Sequence, residues 1–93
     1  MHTATFAEFE TEAQGQGFDE VLERHWPPLT QLEAHVHAFA AKAVVVQGEM
    51  WLTVGDDTRH LHPGDTFELD ADISHAERYG PEGATYWVAR RNG

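Results

Sequence analysis

Phe6, Phe9 and Ala13 recur at intervals of three and four, which predicts a short amphipathic helix over residues 5–14 that Gly15 and Gly17 terminate. Such a helix is placed to cover an open sheet edge or a barrel end. Beyond it the rhythm changes. Residues 18–26 read as an edge strand stopped by Pro27 and Pro28, because proline cannot donate to a ladder. Strand-like segments then follow at 31–40, 43–47, 49–54, 58–61, 66–69, 74–79 and 84–90. Gln47-Gly48, Gly55-Asp56-Asp57, Pro63-Gly64-Asp65, Asp70-Ala71-Asp72 and Gly80-Pro81-Glu82-Gly83 separate them, and these residue types predict turns. Seven or eight short strands at this spacing point to a closed barrel or a sandwich.

With 93 residues the chain has material for one domain with a modest core. Residues 1–17 form a helical N-terminal extension and 18–93 the β-barrel. Cysteine is absent, so neither disulfides nor thiolate ligands are available and any metal must be held by His, carboxylate or solvent. No apolar run approaches the ~20 residues of a membrane span, and no basic stretch leads into a signal-like segment. A soluble, cytoplasmic protein is the expectation. Six Lys plus Arg against sixteen Asp plus Glu give a net charge of -10, which repels phosphate backbones and anionic lipid. Nucleic acid and membrane are therefore not expected partners; the acidic surface serves solubility first.

The chemistry lies in His35 and His37, an H-x-H inside a strand-like stretch, answered by His75 after a turn-rich segment. Side chains two apart on a strand share a face, about 7 Å apart. Two imidazoles from one strand and a third from another can converge on a divalent cation and leave positions open for water, a carboxylate or a ligand. The same alternation puts Glu33, Phe39 and Ala41 on the inner face and Val36, Ala38 and Ala40 on the outer one. His75, Glu77 and Tyr79 share a face likewise. Glu33 and Glu77 are thus the available carboxylates, either as a fourth ligand or as an acid/base group.

From His35 to Gly48 the chain reads H-V-H-A-F-A-A-K-A-V-V-V-Q-G, and Gly64 and His75 keep a second fixed separation. Together with the Pro63-Gly64-Asp65 turn, these residues resemble the two motifs of the cupins, small single-domain jelly-roll barrels whose motifs flank a metal. The resemblance covers residues 29–90. Five positions depart from the motifs: Ala41 where the first motif has its glutamate, Leu29 where it opens on glycine, and Asp70, Asp72 and Tyr79 in the second motif. What the resemblance implies is an all-β fold, a cupin-type jelly-roll β-barrel or sandwich with a short N-terminal helix. It also implies a metal site of His35, His37 and His75 for Fe, Zn, Ni, Mn or Cu, and a homodimer paired through the N-terminal strand, where Val21, Leu22 and Trp26 offer an apolar patch.

Two functions remain open at this point. One is an enzyme, a metal-dependent, dioxygenase-like centre acting on a small organic substrate, with Glu77 and Tyr79 as acid/base groups. The other is a small-molecule-binding or sensor module, with or without metal, since Ala41 leaves room for three imidazoles that merely line a pocket. The remaining histidines read as bystanders: His2 at a loose terminus, His25 on the surface, and His60 and His62 turned to solvent around an inward Leu61. Phe39, Trp51, Phe67, Tyr86 and Trp87 are expected as core and pocket lining, Tyr79 as a polar handle at the mouth, and Arg78 or Arg90 as partners of Glu77.

Overall fold

Thr5 starts the first helix by a reciprocal cap: the Glu8 amide donates to Thr5 Oγ1 at 3.1 Å and the Thr5 amide to Glu8 Oε1 at 3.0 Å. Helix α1 (Phe6–Gly15) follows, and the computed structural model, which describes residues 5–92, continues entirely in strands. His2 lies outside the described residues. The strands are β1 (Glu20–Trp26), β2 (Gln31–His35), β3 (Phe39–Val54), β4 (Asp57–Leu61), β5 (Thr66–Leu69) and β6 (His75–Asn92). All pairings are antiparallel. β1, β6, β3 and β4 lie side by side in that order, while β2 adds to β6 and β5 to β3.

Two long strands replace four of the expected short ones. β3 runs through Gln47-Gly48, and β6 runs through Gly80-Pro81-Glu82-Gly83, both of which were expected as turns. The register of β3 against β6 slips between Val45 and Gln47 and again between Gly48 and Met50. Together these slips bend the strands and reverse, once along each, which parity faces inward. On β3 the buried residues are Ala41, Ala43 and Val45 before the bend and Met50 and Leu52 after it. On β6 His75, Glu77 and Tyr79 are buried before the bend and Ala84, Tyr86 and Val88 after it, with Thr85 and Ala89 buried as well. Gly48, at φ +76°, makes the bend sterically feasible, since a Cβ there would collide with the Gly83 carbonyl and Ala84 Cα.

The bent strands wrap the sheet around a core of Ala43, Val45, Met50, Leu52, Leu61, Phe67, Tyr79 and Tyr86. Phe67 and Tyr86 meet edge to face at 5.7 Å. Two aromatics expected inside stand on the outer face instead. Trp87 packs against Phe6 and Phe9 of α1, which is how the helix attaches to the sheet, and Trp51 lies beside His60 and Arg78. Leu22 and Trp26, expected as a pairing patch, pack against this chain's own core.

The predicted strand over 31–40 is interrupted. β2 ends at His35 and β3 begins at Phe39, because the His37 carbonyl accepts from the Asp72 amide at 2.7 Å rather than entering a ladder. The H-x-H therefore sits at a strand end, tied to the loop that precedes His75.

Candidate metal centre

β2 and β6 pair with His35 directly opposite His75, and the loop contact at Asp72 brings His37 in from the side. Ring centroids are 4.4 Å apart for His35 and His75, 4.9 Å for His35 and His37, and 5.1 Å for His37 and His75. One ring nitrogen from each lies within 4.8 Å of the others. All three expected ligands are thus brought together.

Backbone carbonyls orient two of the rings. His35 Nδ1 lies 2.7 Å from the Glu33 carbonyl and His75 Nδ1 lies 3.0 Å from that of Ile73. A carbonyl only accepts, so each Nδ1 carries the proton and each Nε2 presents its lone pair. His37 is steadied differently, by stacking on Phe39 at 4.7 Å and 15°. Burial first, and then the neighbouring His75 and His35, hold its pKa below the ordinary 6.5. It is therefore a neutral donor at neutral pH.

The carboxylate beside the cluster is Glu77, only 7% exposed. Its Oε2 lies 3.4 Å from His35 Nε2 and 3.6 Å from His75 Nε2, while Oε1 accepts a short hydrogen bond from the Tyr79 hydroxyl. Glu33, the other expected carboxylate, is exposed, and only its backbone carbonyl serves the site. Strand β2 has lost its regular register by residue 35, so the alternation that placed Glu33 inward does not hold.

Tyr79 is not at the mouth. It is 1% exposed and stacks at 5.5 Å on Trp26, whose Nε1 donates to Tyr86 Oη at 3.2 Å. Burial above all raises the pKa of both phenols, so they stay protonated donors. Nor are Arg78 and Arg90 the partners of Glu77: Arg78 lies over Trp51 and Arg90 reaches Glu20 at 3.2 Å.

A cavity of about 40 Å³ opens beside the histidines, lined by His37, His75, Glu77 and Ala41 and flanked by Arg24 and Arg90. Arg90 Nε is buried without a hydrogen-bond partner. Neither arginine was singled out for this cavity from the sequence. Arg24 shares its strand face with the core-packed Leu22 and Trp26 on β1, and Arg90 with Tyr86 and Val88 on β6, so strand parity is the signal that points to them.

The family model described as Cupin domain matches residues 22–88. Among solved structures, one from the crystal structures of DMSP lyases RdDddP and RnDddQII superposes with a TM-score of 0.72 at 23% identity, covering 78% of this chain and 38% of that one. An RmlC-like cupin from Shewanella frigidimarina NCIMB 400 gives 0.70 at 19% identity, covering 78% and 65%. A protein of unknown function from Rhizobium leguminosarum bv. viciae 3841 gives 0.71 at 15% identity, covering 100% and 98%. This chain thus spans less than two thirds of the first two neighbours, and likenesses this distant carry the fold.

Proposed function

This chain belongs to the cupin family, and from that premise we propose that it holds one divalent transition ion through His35, His37 and His75, with Glu77 adjoining, and acts on the charged end of a small organic anion. The observation that carries the reading is the pair of Nδ1 contacts, which leaves the Nε2 lone pairs of His35 and His75 free while both atoms approach one Glu77 oxygen. The donor set fits such an ion. Ligand atoms about 2.1 Å from a tetrahedral centre stand about 3.4 Å apart, and Glu77 Oε2 is 3.4 and 3.6 Å from two of the imidazoles.

When bound, the ion supplies Lewis acidity and, if redox-active, the electron transfer that dioxygen chemistry needs. The side chains supply the rest. Tyr79 fixes one oxygen of Glu77 and leaves the other beside the Nε2 atoms of His35 and His75, where it would serve as the ion's carboxylate donor. Arg24 and Arg90, both lining the cavity, set the charge of the ligand it would take. About 40 Å³ holds only one or two waters. Only the reacting end of a ligand enters, and the remainder extends outward, where Val36 and Ile73 are exposed apolar neighbours of the ligand residues.

The test is elemental analysis of untagged protein purified without chelators, beside a His35→Ala/His75→Ala variant. After exhaustive dialysis, which strips ions held by exposed side chains, the parent is expected to carry a single equivalent and the variant none; equal metal in both overturns the proposal. In the Co²⁺-loaded protein, small carboxylates should perturb the visible spectrum, and Arg90→Gln should weaken that response. Spectral binding with neither turnover nor dioxygen uptake assigns the site to capture rather than catalysis.

A further inference from the structure

The second H-x-H, at His60 and His62, does face solvent as its sequence suggested, while Leu61 between them in the chain turns into the core. Folding adds a partner that the sequence did not announce. The bulge between Gly48 and Met50 on β3 turns Glu49 outward, and its Oε2 lies 3.2 Å from His60 Nε2. The His60 and His62 rings are 4.1 Å apart, and one donor atom from each of the three residues lies within 4.8 Å of the others. None of the three belongs to the barrel cluster.

The positions of these groups are set before any ligand arrives. His60 stacks on Trp51 at 4.3 Å and 4°, and the Arg78 guanidinium also lies 4.3 Å from that indole. In the ladder Trp51 pairs with His60 on one side and Arg78 on the other, so the three form a row across the sheet that holds the His60 ring flat. The His62 amide donates to Asp65 Oδ2 at 2.8 Å, and that oxygen lies 3.7 Å from His62 Nδ1, which favours Nε2 as its free nitrogen. Side-chain exposures of 33% for Glu49, 40% for His60 and 57% for His62 leave the remaining coordination positions open to water.

We propose that Glu49, His60 and His62 form a second, surface site for a borderline divalent cation of the Zn²⁺, Ni²⁺ or Cu²⁺ kind. Two imidazoles and one carboxylate match those ions, and the absence of thiolates and of a carboxylate cage disfavours soft monovalent ions and Ca²⁺ or Mg²⁺. The open face makes it an exchangeable site, unlike the enclosed barrel cluster.

The wild-type chain should bind two equivalents of Zn²⁺ in calorimetry, and His60→Ala/His62→Ala one. Because both side chains are exposed, that variant should keep the parent's circular dichroism. Cu²⁺ bound at His60 should quench Trp51 fluorescence saturably, with the response absent in Trp51→Phe and weakened at least ~10-fold in His62→Ala. The same saturable quenching in a His35→Ala/His75→Ala variant supports the surface site whatever the fate of the barrel site. Equal stoichiometry in the parent and His60→Ala/His62→Ala, or quenching that is unchanged in His62→Ala, overturns it.

Discussion

Replacing Tyr79 by Phe deletes one oxygen from the least exposed part of the site and leaves the ring in place. Tyr79 is 1% exposed and its hydroxyl donates to Glu77, a residue itself only 7% exposed, so no bulk water replaces it. A hydrogen bond to a charged group contributes about 2 kcal/mol, and an orphaned buried acceptor adds to the loss. For a chain of this size about 2 kcal/mol corresponds to a melting point lower by roughly 8–16 °C. The assay is thermal unfolding at neutral pH, run as a double-mutant cycle with Glu77→Gln. A neutral amide accepts the same bond more weakly, so the Tyr79→Phe penalty in that background should fall to about 1 kcal/mol, a coupling of about 1 kcal/mol. A Tyr79→Phe melting point within 2 °C of the parent, or equal penalties in both backgrounds, refutes a structural role for this contact.

Two further predictions test the histidine cluster and the backbone. The pKa of His37 is depressed in the fold, so as pH falls through 6.5 the unfolded chain takes up the proton first; stability from this group is present above 6.5 and declines below it. Urea unfolding of metal-free protein between pH 5 and 8 should show that slope, flattened in His37→Gln. Leu29 holds φ +60° at the position where the family motif opens on glycine, with its amide donating to the Gly80 carbonyl at 3.0 Å. Left-handed backbone costs a branched residue about 1–2 kcal/mol and glycine's extra unfolded-state entropy about 0.5–1. Leu29→Gly should therefore raise the melting point by a few degrees, and a lower value counts against strain there.

The sequence made some of this legible because the relevant signals are local. The spacing of Phe6, Phe9 and Ala13, the H-x-H, and Leu61 between two polar histidines each depend on neighbours within four positions. Continuity of the long strands was not legible. Gly48 and Gly80 to Gly83 look like chain reversals, and only the partner strand tells a bulge from a turn, because Gly48 and Gly83 each sit where another backbone passes. The inward carboxylate was half legible for the same reason. Strand alternation worked for Glu77 on an intact ladder with β3 and failed for Glu33 where β2 slips. Glu49 was missed because a bulge sets its direction.

Ala41 and Glu77 together raise the question of where this site keeps its carboxylate. The family motif places one on the strand that follows the H-x-H, at position 41 here, yet this chain has a methyl group there, lining the same cavity as His37, His75 and Glu77. Opposite Ala41 in the ladder is Arg90, so the missing charge is also missing beside a guanidinium. Moving the carboxylate to β6 changes its surroundings: Glu77 is braced by Tyr79 and approaches two imidazoles, while the space at residue 41 is left for a ligand. If the two positions are alternative sources of one negative charge, Glu77→Gln should weaken Zn²⁺ binding by roughly 10–100-fold, and adding Ala41→Glu should restore most of it while reducing small-carboxylate binding. Both affinities can be read by competition against a chromophoric chelator. Failure of Ala41→Glu to recover the ion in a well-folded double variant would show that Glu77 acts through its own geometry and not as a transplanted ligand.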